Sequence, residues 1–250
     1  MDREVSLALV VLSCRTSDRT AGAGAGAEAL ATALGGTVVG EPGEPAVRDW
    51  SEDLPAARPV LEAAAAAVRS AFDAGALPVL TASDCTICVA TLPEVVLREP
   101  DVHVAWLDAH GDFNTPATTQ SGFLGGMCLA AACGRWDAEG WPGTLAPERV
   151  HLLGVRDLDP PEEVEVEAAG LSAEIPEGVP LYVHLDTDVL DPSVMAAQFP
   201  VPDGWDARRL RAQLAELAAG CRIVGVEITA LEDPAAVPVV VEAIAPLLDS

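Results

Sequence analysis

The sequence predicts an α/β fold built on a central, mostly parallel sheet covered by helices on both sides. Three observations carry that expectation. Short apolar runs alternate with helical segments along the whole chain. Most runs are apolar at consecutive positions, as strands buried on both faces are. Polar clusters follow the runs at Asp84-Cys85, 108–112, 156–159, 186–188 and Glu227. Ligands bind at the carboxyl ends of strands in such sheets. A chain of 250 residues fits one domain, 1–250. Apolar residues make up 50% but aromatics only 4%, so Ala, Val and Leu must form the core.

In order, residues 5–12 form a β-branched strand. Residues 14–26 end in an Ala-Gly alternation and read as a loop, with a helix from about Glu28 to Gly35-Gly36. Residues 37–39 are a short strand and 41–55, acidic and Pro-rich, a surface loop. Residues 58–74 are a helix stopped by Gly75. Residues 76–81 are a strand, 83–88 a loop and 92–98 a short helix. After the strand 102–107 come a loop over 112–121 and a small-residue helix over 122–133. Residues 150–154 are a strand, followed by an acidic segment to Glu177. Residues 181–185 and 222–226 are strands, 206–219 and 235–248 helices.

The formal charge is -25, from 14 basic and 39 acidic residues. That argues against nucleic acid or an anionic membrane as partner, since both require basic patches. Met1-Asp2-Arg3-Glu4 is charged and the following apolar run is too short for a signal peptide, and no run reaches membrane-spanning length. The expectation is a cytoplasmic protein whose six cysteines are mostly free thiols, with Cys14, Cys128, Cys133 and Cys221 as small buried hydrophobes.

The chemistry concentrates in Asp108-Ala109-His110-Gly111-Asp112 and Asp186-Thr187-Asp188, each at the end of an apolar run. Carboxylates there need a strong partner, and several with a His suggest a metal ion. Residues i and i+2 at a strand end face one way, so Asp108, His110 and Asp112 can address one centre, as can Asp186 and Asp188. Oxygen-rich ligation with one imidazole suits a hard ion such as Mn²⁺. Two ions sharing carboxylates would acidify a water between them near neutral pH. A single Asp-x-Asp is more often a cap or turn; the two motifs together favour the metal site.

These motifs resemble the ureohydrolase family of arginases and agmatinases, C–N hydrolases of linear amidines. The family's Asp-Ala-His-x-Asp is 108–112 and its Asp-x-Asp-x-x-Asp-Pro is 186–192. The resemblance covers nearly the whole chain. It implies an arginase-like three-layer α/β/α domain with two manganese ions per subunit. Asp108 and Asp186 would bridge them, Asp112 would complete the first shell, and His110 with Asp188 the second. Relatives form trimers or hexamers, so a homo-oligomer is compatible with the resemblance.

Departures from the pattern are specific. The family's Gly-Gly-Asp-His is Ala82-Ser83-Asp84-Cys85, which puts Cys85 in place of a metal-binding His. Cys85 is read as a substitute ligand. Two readings compete: a bystander beside a weakened first site, or a redox or zinc pair with Cys88. The loop 114–122 resembles the arginase version, which implies that Asn114, Thr119 and Ser121 bind an α-carboxylate. Arg156–Glu162 likewise implies that Asp159 and Glu162 face an α-amino group. Each of these also has a plain alternative as a turn cap. Glu227 matches the carboxylate that orients the guanidinium.

The family's Ser-Gly-Asn-x-His becomes Ser121-Gly122-Phe123-Leu124-Gly125, which loses the proposed proton-shuttle His and is expected to leave space. Phe199 stands where arginases carry a small Thr. The amino-acid end thus looks retained and the reacting end remodelled. The Cys-for-His change resembles the branch that hydrolyses Nω-hydroxy-L-arginine in D-cycloserine biosynthesis. The implied substrate is that small amino acid, cleaved to hydroxyurea and L-ornithine, with Asp112 passing a proton to the leaving nitrogen. The alternatives are an ordinary arginase or guanidino-acid hydrolase, or a degenerate, non-catalytic subunit. His103, His151 and His184 read as structural, with His184 the exception because it adjoins Asp186.

Overall fold

A computed structural model describes residues 6–249 except Ser13, Pro42 and Glu139. The charged start 1–4 and Val5, the first residue of the expected strand, lie outside the described residues. Seven strands form one sheet: β1 (Leu7–Leu12), β2 (Thr37–Val39), β3 (Leu77–Ala82), β4 (His103–Leu107), β5 (Val150–Leu153), β6 (Pro180–Asp186) and β7 (Arg222–Thr229). Their order is β2-β1-β3-β7-β6-β4-β5, and every pairing is parallel.

The helices are α1 (Gly22–Leu34), α2 (Trp50–Ala74), α3 (Cys88–Arg98), α4 (Cys128–Ala132), α5 (Pro160–Ala169), α6 (Ala207–Gly220) and α7 (Val237–Leu248). On one face α2 to α5 pack through Leu61, Leu92, Leu129 and Val166 around Trp106 and Tyr182. On the other, Leu30 of α1, Leu214 of α6 and Ile244 of α7 cover Leu107, Val183 and Leu185. Strand alternation sets the side on which each motif emerges. Trp106 and Tyr182 point to the first face, so Asp108, His184 and Asp186 continue on that side. No helix among the described residues is long and apolar enough to cross a membrane.

Several boundaries differ from the sequence expectation. α1 starts at Gly22, inside the Ala-Gly alternation. A Cβ on Gly26 would stand 1.6 Å from the Leu231 carbonyl oxygen, so the small residues let the helix approach the chain after β7. α2 starts at Trp50, where the Asp49 side chain accepts from the Ser51 N–H. α3 starts at Cys88 rather than 92. The expected helix over 122–133 shortens to a 3-10 turn at Gly125–Met127 and the single turn of α4. The acidic segment after β5 contains α5, with Pro160 as its first residue. β7 runs on to Thr229, which puts Glu227 inside a strand instead of beyond its end. All six cysteines are free, and Cys14, Cys133 and Cys221 are only half-buried.

Candidate metal centre and active-site cleft

The carboxyl ends of β3, β4 and β6 open into a cleft of about 430 Å³. Cys85, His110, Asp112, Asn114, Ser121, Asp159, Glu162, Asp186 and Asp188 line it; Asp108, Thr119 and Glu227 do not. Asp108 lies under the floor, 1% exposed. Its Oδ1 accepts the His110 N–H at 2.7 Å, and its Oδ2 accepts the Trp106 indole N–H at 3.2 Å. His110 Nδ1 stands 3.3 Å from Asp108 Oδ1 and 3.0 Å from Asp188 Oδ2. The Asp188 N–H donates to Asp186 Oδ1 at 2.7 Å, and the Ala109 N–H to Asp188 Oδ1 at 3.1 Å. The i, i+2 spacing therefore brings both motifs to one place. Asp112 is held at φ 49, a left-handed conformation unusual for a non-glycine residue, of the kind that clusters at functional sites.

Burial and mutual repulsion dominate the electrostatics. Burial, then Asp188, pushes Asp108 up to about 6. Burial pushes Asp112 and Asp186 well above the usual carboxylate range, with further repulsion from Asp108 on the first and from Asp188 on the second. Burial pulls His110 down, but Asp108 and Asp188 outweigh it and hold the imidazole at about 12. Asp188 is lowered despite its burial, because His110 faces it. Burial and then Asp186 raise the Cys85 thiol.

Four aspartates thus share one imidazole, a donor set with more negative charge than its side chains balance. A hard divalent cation would supply what is missing, and the oxygen-rich set fits Mn²⁺. Asp108, His110 and Asp188 bring donor atoms within 4.8 Å of one another, and so do Cys85, Asp108 and His184.

Cys85 donates to Asp186 Oδ2 at 2.9 Å and stands 3.1 Å from Thr229 Oγ1. Cys88 shares a side-chain hydrogen bond with Cys128, and both stay free thiols. The two sulfurs of Cys85-x-x-Cys88 therefore serve different environments.

At the expected amino-acid end, Ser121 Oγ accepts the Phe123 N–H at 3.2 Å and Thr119 Oγ1 the Gly122 N–H at 3.1 Å. Both hydroxyls also act as turn caps. Asn114 Oδ1 is buried with no partner among the described residues. Glu162 Oε1 accepts the Phe113 N–H at 2.8 Å, and burial lifts its carboxyl to about 7. Asp159 Oδ1 accepts from Gln120 Nε2 at 3.3 Å.

Two features of the reacting end stand apart from the expected picture. Glu227 is fully buried and does not reach the cleft; its carboxylate takes hydrogen bonds from Thr91 and Tyr182 and faces His184. The space expected at Gly125 is filled. A Cβ there would meet the Phe123 ring at 2.5 and 2.7 Å. Phe123 also packs on Phe199, with centroids 4.9 Å apart, and Phe199 stands edge-on to His110 at 6.3 Å. Arg19, which sequence reasoning passed over inside a loop, lies 5.0 Å over the Phe123 ring and donates to the Ser121 carbonyl at 2.9 Å. Its positive charge in a chain with few basic residues was the available signal. His103 and His151 stack on each other with ring nitrogens 2.9 Å apart, and neither lines the cleft.

A profile of the arginase family matches residues 5–237, nearly the whole chain. The chain belongs to the arginase family. It is thus an arginase-family amidinohydrolase, built on an all-parallel seven-stranded sheet. It is 39% identical to the N(omega)-hydroxy-L-arginine amidinohydrolase of Streptomyces lavendulae, over 97% of each chain. Among solved structures, the arginase of Bacillus caldovelox superposes with a TM-score of 0.84 at 25% identity, covering 98% of this chain and 99% of that one. The proclavaminate amidino hydrolase of Streptomyces clavuligerus gives 0.75 at 16% identity, covering 99% and 93%, a likeness of fold.

Proposed function

We propose that this arginase-family hydrolase acts on Nω-hydroxy-L-arginine, hydrolysing the bond between the guanidine carbon and Nδ to release L-ornithine and hydroxyurea. The observation that carries this reading is the filled pocket at Gly125. Phe123 occupies the space of any side chain there, so position 125 offers no imidazole to the reacting end, while the loop 114–121 and the acids 159 and 162 keep polar groups at the other. An N-hydroxyguanidine is less basic than a guanidine, so its hydrolysis needs less help from a shuttling imidazole. The relative in Streptomyces lavendulae supports the same substrate.

In this reading 1–250 is one ureohydrolase domain that works in the cytoplasm on a small amino acid. Asp108 and Asp186 would be shared between two Mn²⁺ ions, with Cys85 and Asp112 on the first and His110 and Asp188 on the second. When bound, the pair supplies positive charge that polarises the substrate and acidifies a water. Asn114, Thr119 and Ser121 take the α-carboxylate, and Asp159 and Glu162 the α-amino group. Asp112 holds a proton and delivers it to the leaving δ-nitrogen. Glu227, buried beneath the cleft, acts through His184.

The test is product analysis by mass spectrometry on the Mn²⁺-loaded protein, with Nω-hydroxy-L-arginine and L-arginine in parallel. Hydroxyurea from the first with little urea from the second is expected. Faster release of urea from arginine would make the chain an ordinary arginase and overturn the substrate assignment.

A further inference from the structure

Cys85 is not isolated at the back of the cleft. His184 Nε2 lies 3.2 Å from its sulfur, and His184 Nδ1 lies 2.6 Å from Glu227 Oε1. Glu227 Oε2 in turn accepts from Thr91 Oγ1 at 2.7 Å and Tyr182 OH at 3.0 Å. The sheet register builds this line. His184 on β6 is opposite Glu227 on β7 and opposite Trp106 on β4. The Trp106 ring stacks on the imidazole, with centroids 3.5 Å apart and planes 3° from parallel. Both His184 and Glu227 are 0% exposed.

That environment holds the ring in place. With Nδ1 donating to Glu227, Nε2 keeps its lone pair on the Cys85 side, where a metal ion would meet it. A carboxylate behind an imidazole, holding its far nitrogen free, is how proteins orient metal-binding histidines. The free nitrogen here does not face solvent. It faces a sulfur whose other neighbour, 2.9 Å away, is Asp186 Oδ2. Cys85, His184 and Asp108 bring donor atoms within 4.8 Å of one another, with Asp186 adjoining. One sulfur, one nitrogen and carboxylate oxygens form a softer set than the aspartates and His110 on the other side.

We propose that His184, oriented by Glu227, joins Cys85 as a ligand at the first metal position, so that the two positions of the centre differ in kind. The first position, which Mn²⁺ can also fill, then favours a thiophilic ion such as Zn²⁺ or Co²⁺; the second, built from Asp108, His110 and Asp188, favours a hard ion such as Mn²⁺. This rests on the reading of the cleft as a two-metal site. Glu227 is then a positioning residue, acting on the metal through His184.

X-ray absorption at the zinc edge tests this on the full-length protein loaded with one equivalent of Zn²⁺. The expected shell contains one sulfur at about 2.3 Å and an imidazole nitrogen at about 2.0 Å. His184→Gln removes the imidazole and keeps the sulfur, whereas His110→Gln keeps both. Glu227→Gln keeps both but weakens Zn²⁺ binding about 10–100-fold. An oxygen-only shell, or an imidazole that survives H184Q and disappears in H110Q, overturns the proposal. Should H184Q not fold, H110Q decides: a persisting sulfur–imidazole shell supports the assignment and its loss refutes it. A sulfur-free shell in a protein that still makes hydroxyurea would refute only this inference. A sulfur–imidazole shell without hydroxyurea would refute only the substrate assignment.

Discussion

Phe123 and Gly125 act as one unit at the residue scale. The ring fits only because position 125 carries no Cβ, which would meet it at 2.5 Å. Gly125→Ala should therefore displace the ring from its packing against Arg19 and Phe199 and reshape the reacting end. The expected effect is roughly a tenfold loss in kcat/KM, carried mainly by KM. Phe123→Ala should suppress most of it, because contacting residues couple. Steady-state kinetics of both single variants and the double variant decide this; strictly additive losses would contradict the coupling. The sequence showed that a His was missing at 125, but not that a neighbour two residues back would fill the hole. That depends on the turn at Gly125–Met127, where a helix was expected.

At the scale of elements, the segment after β1 is tied to the end of β3. Asp18 Oδ2 accepts from Ser83 Oγ at 2.8 Å and from the Thr16 N–H at 3.0 Å, while its Oδ1 is buried without a partner among the described residues. Burial, then repulsion from Asp84, raises the Asp18 carboxyl from 3.8 to about 7. A folded-state pKa above the unfolded one means that its stabilising contribution is complete below about pH 4 and is lost as pH rises through about 7. Asp18→Asn mimics the protonated form. It should raise Tm on the order of 5 °C at pH 8 and leave it nearly unchanged at pH 4. Thermal melts across that range test it, and a difference independent of pH would contradict it.

Element boundaries were hardest to read where tertiary contact overrides local preference. The Ala-Gly alternation reads as a loop, yet α1 runs through it because Gly26 must pass the Leu231 carbonyl. The acidic stretch after β5 hid α5, whose apolar contribution to the core is little more than Val166.

Across the whole molecule, the parallel sheet gathers residues distant in sequence at one edge. Asp108–Asp112 and Asp186–Asp188 were legible because each motif is local: i, i+2 spacing at a strand end suffices to aim the side chains. The line from Cys85 through His184 to Glu227 was not, because it joins the turn after β3 to two strands and depends on the register of β6 on β7. Burial of Glu227 was equally hidden, since β7 outlasts the apolar run that announced it by three residues, to Thr229. The buried aspartates, short of positive charge, are the feature on which the metal assignment rests.

The most direct measurement is a titration of the metal-stripped protein with Mn²⁺, following bound metal and turnover of Nω-hydroxy-L-arginine together. Turnover should be absent without metal and reach its plateau as the second equivalent binds, and Asp188→Ala should bind less metal and show no turnover. Turnover by the metal-stripped protein, or a wild-type rate from D188A, would contradict the account.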